Sequence, residues 1–519
     1  MSDEIEYAEK QIFNEKPDLS WPSVRHYLAT RASTLFDLPY KKSNLTVWET
    51  LNPIPGLKEV TPLGYSMYFC GFTAWVIDAF DFFACSVALP EIAATLNVSI
   101  TEISWGITLV LMLRSVGAAI GGILADYYGR KWVFIGICFG FIVIEIGTGF
   151  VKTNQQFLGV RAVFGALMGA MYGAASTTAL EDLPPRARSV LSAFFLVGYN
   201  LGYLLATAFF RAFEPTYKEG EGWRSLFWFS AGLPCIIIVW RFFLPETRAF
   251  VKLQQQKKMI KAKQEASGEL INRTGISKYI DPAVVKTIKT EWLTFIYLVL
   301  LMAGMNFSSH GTQDLYPTIL STQYQYDFDT RTIILCVANI GAMVGGFLVG
   351  QLSELLGRRL TIIIFIIIGG AFLYPAYMVD HVPTILGGSF FLVFCVMATY
   401  GISVCIIIEL VNANYRAFLS GVVYQLGNLA SSASSTIESK LSEQFPITTK
   451  TGLPSHNYAL VTSIFCGAIF AYIILITFLG YERFHRDLEI HSDMHSIREV
   501  QSETSSLDSK VKLGHMEKV

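Results

Sequence analysis

Long apolar blocks separated by short polar or charged interruptions set the pattern of this chain. Each block runs to about twenty residues, the length an α-helix needs to cross a ~30 Å hydrocarbon core. The pattern predicts twelve membrane spans, near 64–88, 104–124, 132–151, 157–179, 189–210, 225–244, 293–317, 332–352, 360–379, 384–408, 417–436 and 459–480. None of the blocks alternates with period two, so helices rather than barrel strands are expected to satisfy the backbone in lipid. Three stretches read as soluble. Residues 1–60 include an expected amphipathic helix from about Ser20 to Leu38, residues 249–291 form a basic connection, and a Ser-rich charged tail follows Tyr481. The expected organisation is an N-terminal segment 1–60, a six-helix half 61–248, the basic loop 249–291, a second six-helix half 292–481 and a tail 482–519.

Composition adds exclusions. Hydrophobic residues make up 52% of the 519 positions and charged ones only 16%, too few for a soluble chain of this length. The formal net charge of −1 gives no reason to expect a nucleic-acid partner. All eight cysteines fall inside apolar blocks without CxxC spacing, so neither a disulfide framework nor a metal site is indicated. With no nucleophile–base pair, phosphate loop or metal cluster in view, no enzyme activity and no cofactor are expected. Met1 to Lys10 is polar and acidic, unlike a signal peptide, so the first span is expected to direct insertion. Lys and Arg are nearly balanced between the two sets of short loops. The basic 249–291 loop and the N-terminal Lys/Arg residues break the tie and place both termini and that loop in the cytoplasm.

An internal repeat organises the charges. Gly122-x3-Asp126-x2-Gly129-Arg130-Lys131 recurs as Gly350-x3-Glu354-x2-Gly357-Arg358-Arg359, and Glu181-x6-Arg188 recurs at the same offset as Glu409-x6-Arg416. Two motifs displaced by one distance identify a duplicated six-helix unit. Carboxylates and guanidiniums at these helix mouths can pair across the halves and so bias alternative states; equally, they serve as positive anchors in tight turns. Gly165, Gly169 and Gly173, at four-residue spacing, read as a close-packing ridge.

Charges inside the spans are costly and therefore candidates for function. Arg114 stands in the middle of span two, either as an anion site or in a permanent ion pair. Span seven carries Asn306, His310, Gln313 and Asp314 within one helical face, with Gly311 and Pro317 permitting a break. His310 suits proton exchange, or serves as a satisfied interhelical donor. Asp78 and Asp81 in span one face roughly the same way; one is expected to pair with Arg114 and the other to take a proton, unless they sit near a water-filled end. Glu145, the lone acid of span three, reads as protonated or paired with another helix rather than catalytic. Gln425 and Asn428 in span eleven are expected to face the cavity, ahead of a small-residue run ending at Glu438.

The GxxxD/ExxGRR/K loops and Pro245-Glu246-Thr247-Arg248 resemble the signatures of the major facilitator superfamily from about residue 60 to 482. More specifically, Asn306-x-x-Ser309-His310-x-Thr312-Gln313-Asp314-x-x-x-Thr318 resembles the signature of fungal Jen-type carboxylate:proton symporters. The Tyr424–Glu438 stretch, Glu181-Asp182 with Arg188, and Glu482–Leu488 are similar to that family too. The resemblance implies a plasma-membrane symporter for short-chain mono- or dicarboxylates and protons, and a monomer is expected because each superfamily unit holds its own pathway. It places substrate-related positions at Arg114, Asn306, His310, Asp314 and Gln425, with Phe195 a further candidate. Asp78, Asp81 and Leu196 depart from the lactate-type pattern and lean the expectation towards dicarboxylates. The rivals are a sugar or polyol porter of the same superfamily, for which Arg114 has no purpose, and a non-transporting nutrient sensor, for which longer tails are expected.

Overall fold

The computed structural model describes residues 19–36, 54–251 (except 181, 219 and 249), 255, 289–411, 416–449 and 451–482. Helix α1 (Trp21–Leu35) precedes the bundle. The first half comprises α2 (Pro62–Val87), α3 (Ile100–Tyr128), α4 (Arg130–Gly149), α5 (Asn154–Leu180), α6 (Pro185–Phe213), α7 (Gly222–Ser230) and α8 (Leu233–Phe243). The second comprises α9 (Trp292–Gln313), α10 (Phe328–Leu356), α11 (Arg358–Tyr377), α12 (Val382–Leu410), α13 (Arg416–Ser431), α14 (Ser434–Ser442) and α15 (Tyr458–Leu479). The only sheet among the described residues is a two-stranded ribbon, Pro446–Thr448 with Pro454–His456.

Eleven described segments are long and apolar enough to cross a membrane. The expected eleventh span, 417–436, is the one that fails the test. Its Ser/Ala run breaks the helix between Ser431 and Ser434, leaving α13 and the polar α14 end to end. Span six also divides, at Ala231–Gly232 ahead of Pro234, where a proline at the start of α8 costs no hydrogen bond. In span seven α9 continues through Gly311 and stops at Gln313, so the break lies at Asp314–Leu315 rather than at the glycine.

Local chemistry explains the helix ends. Ser99 and Glu102 form a reciprocal capping box at the start of α3, and Asp327 caps α10 through the Thr330 N–H. Both repeat motifs turn on a glycine with positive φ, 96° at Gly129 and 99° at Gly357, where a side chain would be strained. Each glycine joins two spans with no intervening loop, which fixes the α3–α4 and α10–α11 corners. Glycines also set the helix spacing. A Cβ at Gly117 would lie 1.8 Å from the Ala166 carbonyl oxygen, and one at Gly169 1.8 Å from that of Arg114. Of the expected ridge, Gly165 and Gly169 pack on α3, whereas Gly173 has open space beside it.

The halves meet along a pseudo-two-fold axis that the repeat makes visible. Ser86 Oγ donates to the Asp314 carbonyl oxygen, a residue 228 positions away. The Phe82 ring meets His310, its own repeat equivalent, edge to face at 5.8 Å. Helices α2 and α9 therefore line the axis. The central window of α2 is 94% buried, against 33% for α15, which belongs to the lipid-facing rim. Other bridges between the halves run from mid-bundle to the end opposite the termini: Ser115 to the Gln425 carbonyl, Thr108 with Thr436, Thr101 with Glu443, Arg331 with Glu91, and Arg211 with Asp329.

Candidate functional site

Arg114 lies midway along α3 and is 1% exposed. Its Nε and Nη2 are buried without a hydrogen-bond partner, and its guanidinium sits 5.5 Å from the Trp75 ring and 5.6 Å from the Tyr424 ring. Aromatic faces stabilise a cation without supplying a counter-charge. Tyr172 stacks on Tyr424 at 4.8 Å, and Phe195 and Tyr199 stack on Trp75, so α2, α5, α6 and α13 all build the cage. Phe195 thus backs the Trp75 ring. Asp78 is fully buried, with both carboxylate oxygens unpartnered; it feels the charge of Arg114 but makes no ion-pair contact with it.

The polar face of α9 continues the site along the axis. His310 Nδ1 lies 3.1 Å from Asp314 Oδ2, both buried. Asn200 donates to both Gln313 Oε1 and Asn339 Oδ1, and the Gln313 amide reaches Ser309, tying α6, α9 and α10 together. The Asn306 amide donates to the Met302 carbonyl and its Oδ1 accepts from Tyr400, which lies within electrostatic reach of Arg114. Gln425 Oε1 and Asn428 Oδ1 are buried without partners beside Tyr424. Sequence reasoning therefore brought together groups that the fold brings together: Arg114, Asp78, Asn306 and Gln425 around the cage, with His310, Gln313 and Asp314 on the axis.

One expectation is corrected. Asp78 and Asp81 do not share one environment. Asp81 turns towards Ser230, Arg161 and Glu145 inside the first half. Glu145 takes the helix-paired reading, with Arg161 3.8 Å away and both residues fully buried, and the Arg161 guanidinium rests on Phe164 at 4.2 Å. Sequence reasoning missed Arg161. It stands four residues into the expected span 157–179, whereas α5 begins at Asn154 and carries it two turns into the bundle.

The repeat-motif charges sit at the end that bears the termini. Lys131 donates its backbone N–H to Glu246 and its ammonium to the Phe242 and Leu244 carbonyls, closing the end of α8. Arg359 does the same for α15, donating its backbone N–H to Glu482 and its side chain to the Thr477 and Phe478 carbonyls. Arg358 bridges Glu354 and Glu409 within the second half. The described pairs of this set lie inside one half each. Arg130 opens α4. Glu181 falls outside the described residues, as do the side chains of Asp126, Arg188 and Arg416.

Residues 56–493 match the family model "Sugar (and other) transporter". A curated relative from Saccharomyces cerevisiae, a carboxylic acid transporter protein homolog, is 39% identical over 93% of this chain and 78% of its own length. A cis,cis-muconate transport protein of Acinetobacter baylyi is 26% identical over 69% of the chain and 83% of the relative. Among solved structures, the Escherichia coli xylose transporter XylE superposes with a TM-score of 0.60 at 15% identity, over 79% of this chain and 98% of that one. The human organic anion transporter MFSD10 gives 0.57 at 13%, over 81% and 100%. These likenesses show the twelve-helix major facilitator fold, with α13 and α14 lying where the sequence places the eleventh span. With the repeat, the unpartnered buried arginine and the α9 signature in place, the chain belongs to the sugar (and other) transporter family of the major facilitator superfamily, and within it to the fungal Jen-type carboxylate transporters.

Proposed function

We propose that this membrane transporter carries short-chain carboxylates across the plasma membrane together with protons, with both termini in the cytoplasm. The carrying observation is Arg114: a guanidinium held mid-bundle between two aromatic rings, with two nitrogens unpartnered. A permanently charged planar fork in that setting is matched by a carboxylate, and a sugar gives it nothing to neutralise. Two names support the reading, the carboxylic acid transporter homolog and the muconate transport protein.

Charge balance supplies the coupling. With Asp78 ionised, the cage is neutral. A substrate carboxylate on Arg114 then leaves two negative charges against one positive, and a proton on Asp78 restores neutrality. One anion moving with one proton also avoids the electrical cost of ~2.3 kcal/mol per charge per 100 mV. Arg161, Glu145 and Asp81 follow the same rule, being neutral with one proton bound, and His310–Asp314 offers a third exchangeable pair on the axis. One uncommitted guanidinium anchors one carboxylate. A dicarboxylate's second group would meet neutral donors such as Asn306 or enter protonated. The repeat-motif charges act as gates by holding helix ends closed in one state.

The test is uptake of labelled lactate and succinate at about pH 5 and about pH 7.5, on either side of the histidine range, in cells lacking endogenous carboxylate uptake. Faster uptake at low pH, lost with a protonophore and absent in a surface-expressed Arg114→Ala variant, is the expected result. Hexose uptake with neither acid entering overturns the reading.

A further inference from the structure

Helix α1 is built inside out for a soluble segment. Its polar face is the one that docks: Tyr27 donates to the Leu479 carbonyl at 2.7 Å, Arg31 donates to the Gly480 carbonyl at 2.8 Å, and Thr34 accepts from Arg359 at 3.3 Å. Arg31 is buried, with its guanidinium 3.8 Å from the Tyr27 ring. The apolar side chains stay outside. Trp21 is 74% exposed, Leu28 49% and Phe36 67%, with Leu19 at 58% just ahead of the helix. Trp21 and Leu28 stand two turns apart on one stripe, with Phe36 near its far edge, and the exposed Arg25 rises from the same sector, where its long stem lets the guanidinium reach headgroup level. Ser33 is exposed in the third sector, between the docked and apolar ones.

Position decides what covers that stripe. The docking partners are the last carbonyls of α15 and the first turn of α11, so α1 lies at the level where those spans leave the hydrocarbon. Both belong to the rim, and their outward side chains Tyr374, Ile364, Ile464 and Leu475 are exposed along the same flank. The apolar stripe of α1 thus extends the lipid-facing surface of the bundle at its edge. Aromatic side chains such as Trp21 favour that interfacial depth, and the exposed Arg25 and His26 suit headgroups.

We propose that α1 is an interfacial helix lying in the headgroup region of the bilayer, its Trp21–Leu28–Phe36 stripe in lipid and its Tyr27–Arg31–Thr34 face clasped to the ends of α15 and α11. The occupant of the stripe is bilayer lipid. The segment before the first half is thereby anchored to the second half and to the membrane at once. This goes beyond the transport reading, and its test does not depend on transport.

The full-length protein in lipid nanodiscs, with p-benzoylphenylalanine introduced singly at Leu28, Phe36, Ser33 or Ile464, is irradiated and analysed as the intact protein by mass spectrometry. Lipid-sized adducts are expected at Leu28 and Phe36, comparable to those at Ile464 on the rim, and absent at Ser33. No lipid adduct at Leu28 and Phe36 while Ile464 gives one overturns the proposal. So does an adduct from Leu28 to a second copy of the chain, or equal lipid labelling at Ser33. A Tyr27→Phe, Arg31→Gln variant provides a second reading. Amide exchange of residues 21–35 should rise in it while α15 stays protected; unchanged exchange contradicts the clasp.

Discussion

Lys131 in the first half and Arg359 in the second make the same clasp. Each donates its backbone N–H to a glutamate beyond the half's last span, Glu246 or Glu482, and its side chain to the closing carbonyls of that span. Mid-bundle the halves diverge. At the repeat offset of 228 seen in the Ser86–Asp314 contact, Arg114 corresponds to Ala342, Arg161 to Ser389, Glu145 to Leu373 and Asp78 to Asn306. The clasp recurs because every helix end has carbonyls to satisfy wherever it sits. Mid-membrane ions have no such general use, and here the guanidiniums occupy one half only. On the proposed reading the first half is the anion side, and the second answers it with neutral amides, a His–Asp pair and Tyr424.

Removing a shared charge from the ionic half should do the most damage. Arg161→Leu strands Glu145 and Asp81 in the interior, a loss on the order of 3–5 kcal/mol for a buried pair broken on one side. Size-exclusion profiles and thermal unfolding should show the folded fraction collapse, and adding Glu145→Gln should recover much of it. Parental stability in the single variant would mean the cluster carries no structural weight. The equivalent position, Ser389, should accept Ala with little change.

The glycine contacts sharpen the comparison at a smaller scale. A Cβ at Gly169 meets the Arg114 carbonyl at 1.8 Å, whereas in the second half one at Gly345 meets the Phe394 carbonyl at 2.3 Å. Either Ala substitution should cost about 1–3 kcal/mol by forcing helices apart. Gly169→Ala should in addition impair transport beyond its loss of stability, because it displaces Arg114, the residue proposed to hold the anion. Equal transport defects in both variants would remove the functional distinction between the halves. Gly173→Ala, with open space beside it, is the control expected to be neutral.

Much of this was readable from the chain. The repeat, the spans and the helix-seven polar face are local patterns, and a charge at the centre of an apolar block announces itself. What escaped was pairing across helices. Glu145 and Arg161 are neighbours only because α4 and α5 pack side by side, and nothing in either segment names the other. Asp78 and Asp81 looked equivalent because they are three residues apart, yet one turns to α3 and the other to α4, α5 and α7. The break in span eleven was missed because Ser and Ala fit a helix locally and fail only on hydropathy and packing.

The smallest effect expected is at the clasp. Burial raises the Glu482 carboxyl to about 7, against the pull of Arg359. A carboxyl raised on folding weakens the folded state as pH climbs from its unfolded value near 4.5 towards 7, and the penalty is complete above that. Glu482→Gln should therefore flatten the decline of melting temperature across that window. A profile unchanged from the parent would show that Glu482 does not titrate there.

The most direct test of the central claim, that a substrate carboxylate and Asp78 share Arg114, is transport by an Asp78→Asn variant in proteoliposomes, read as exchange and as net accumulation. Asn is expected to keep the cage able to accept the anion, so labelled carboxylate still exchanges against unlabelled carboxylate across the membrane, while accumulation driven by an inward proton gradient is lost. Accumulation at the parental level in Asp78→Asn would contradict it, since the proton would then be travelling on another group.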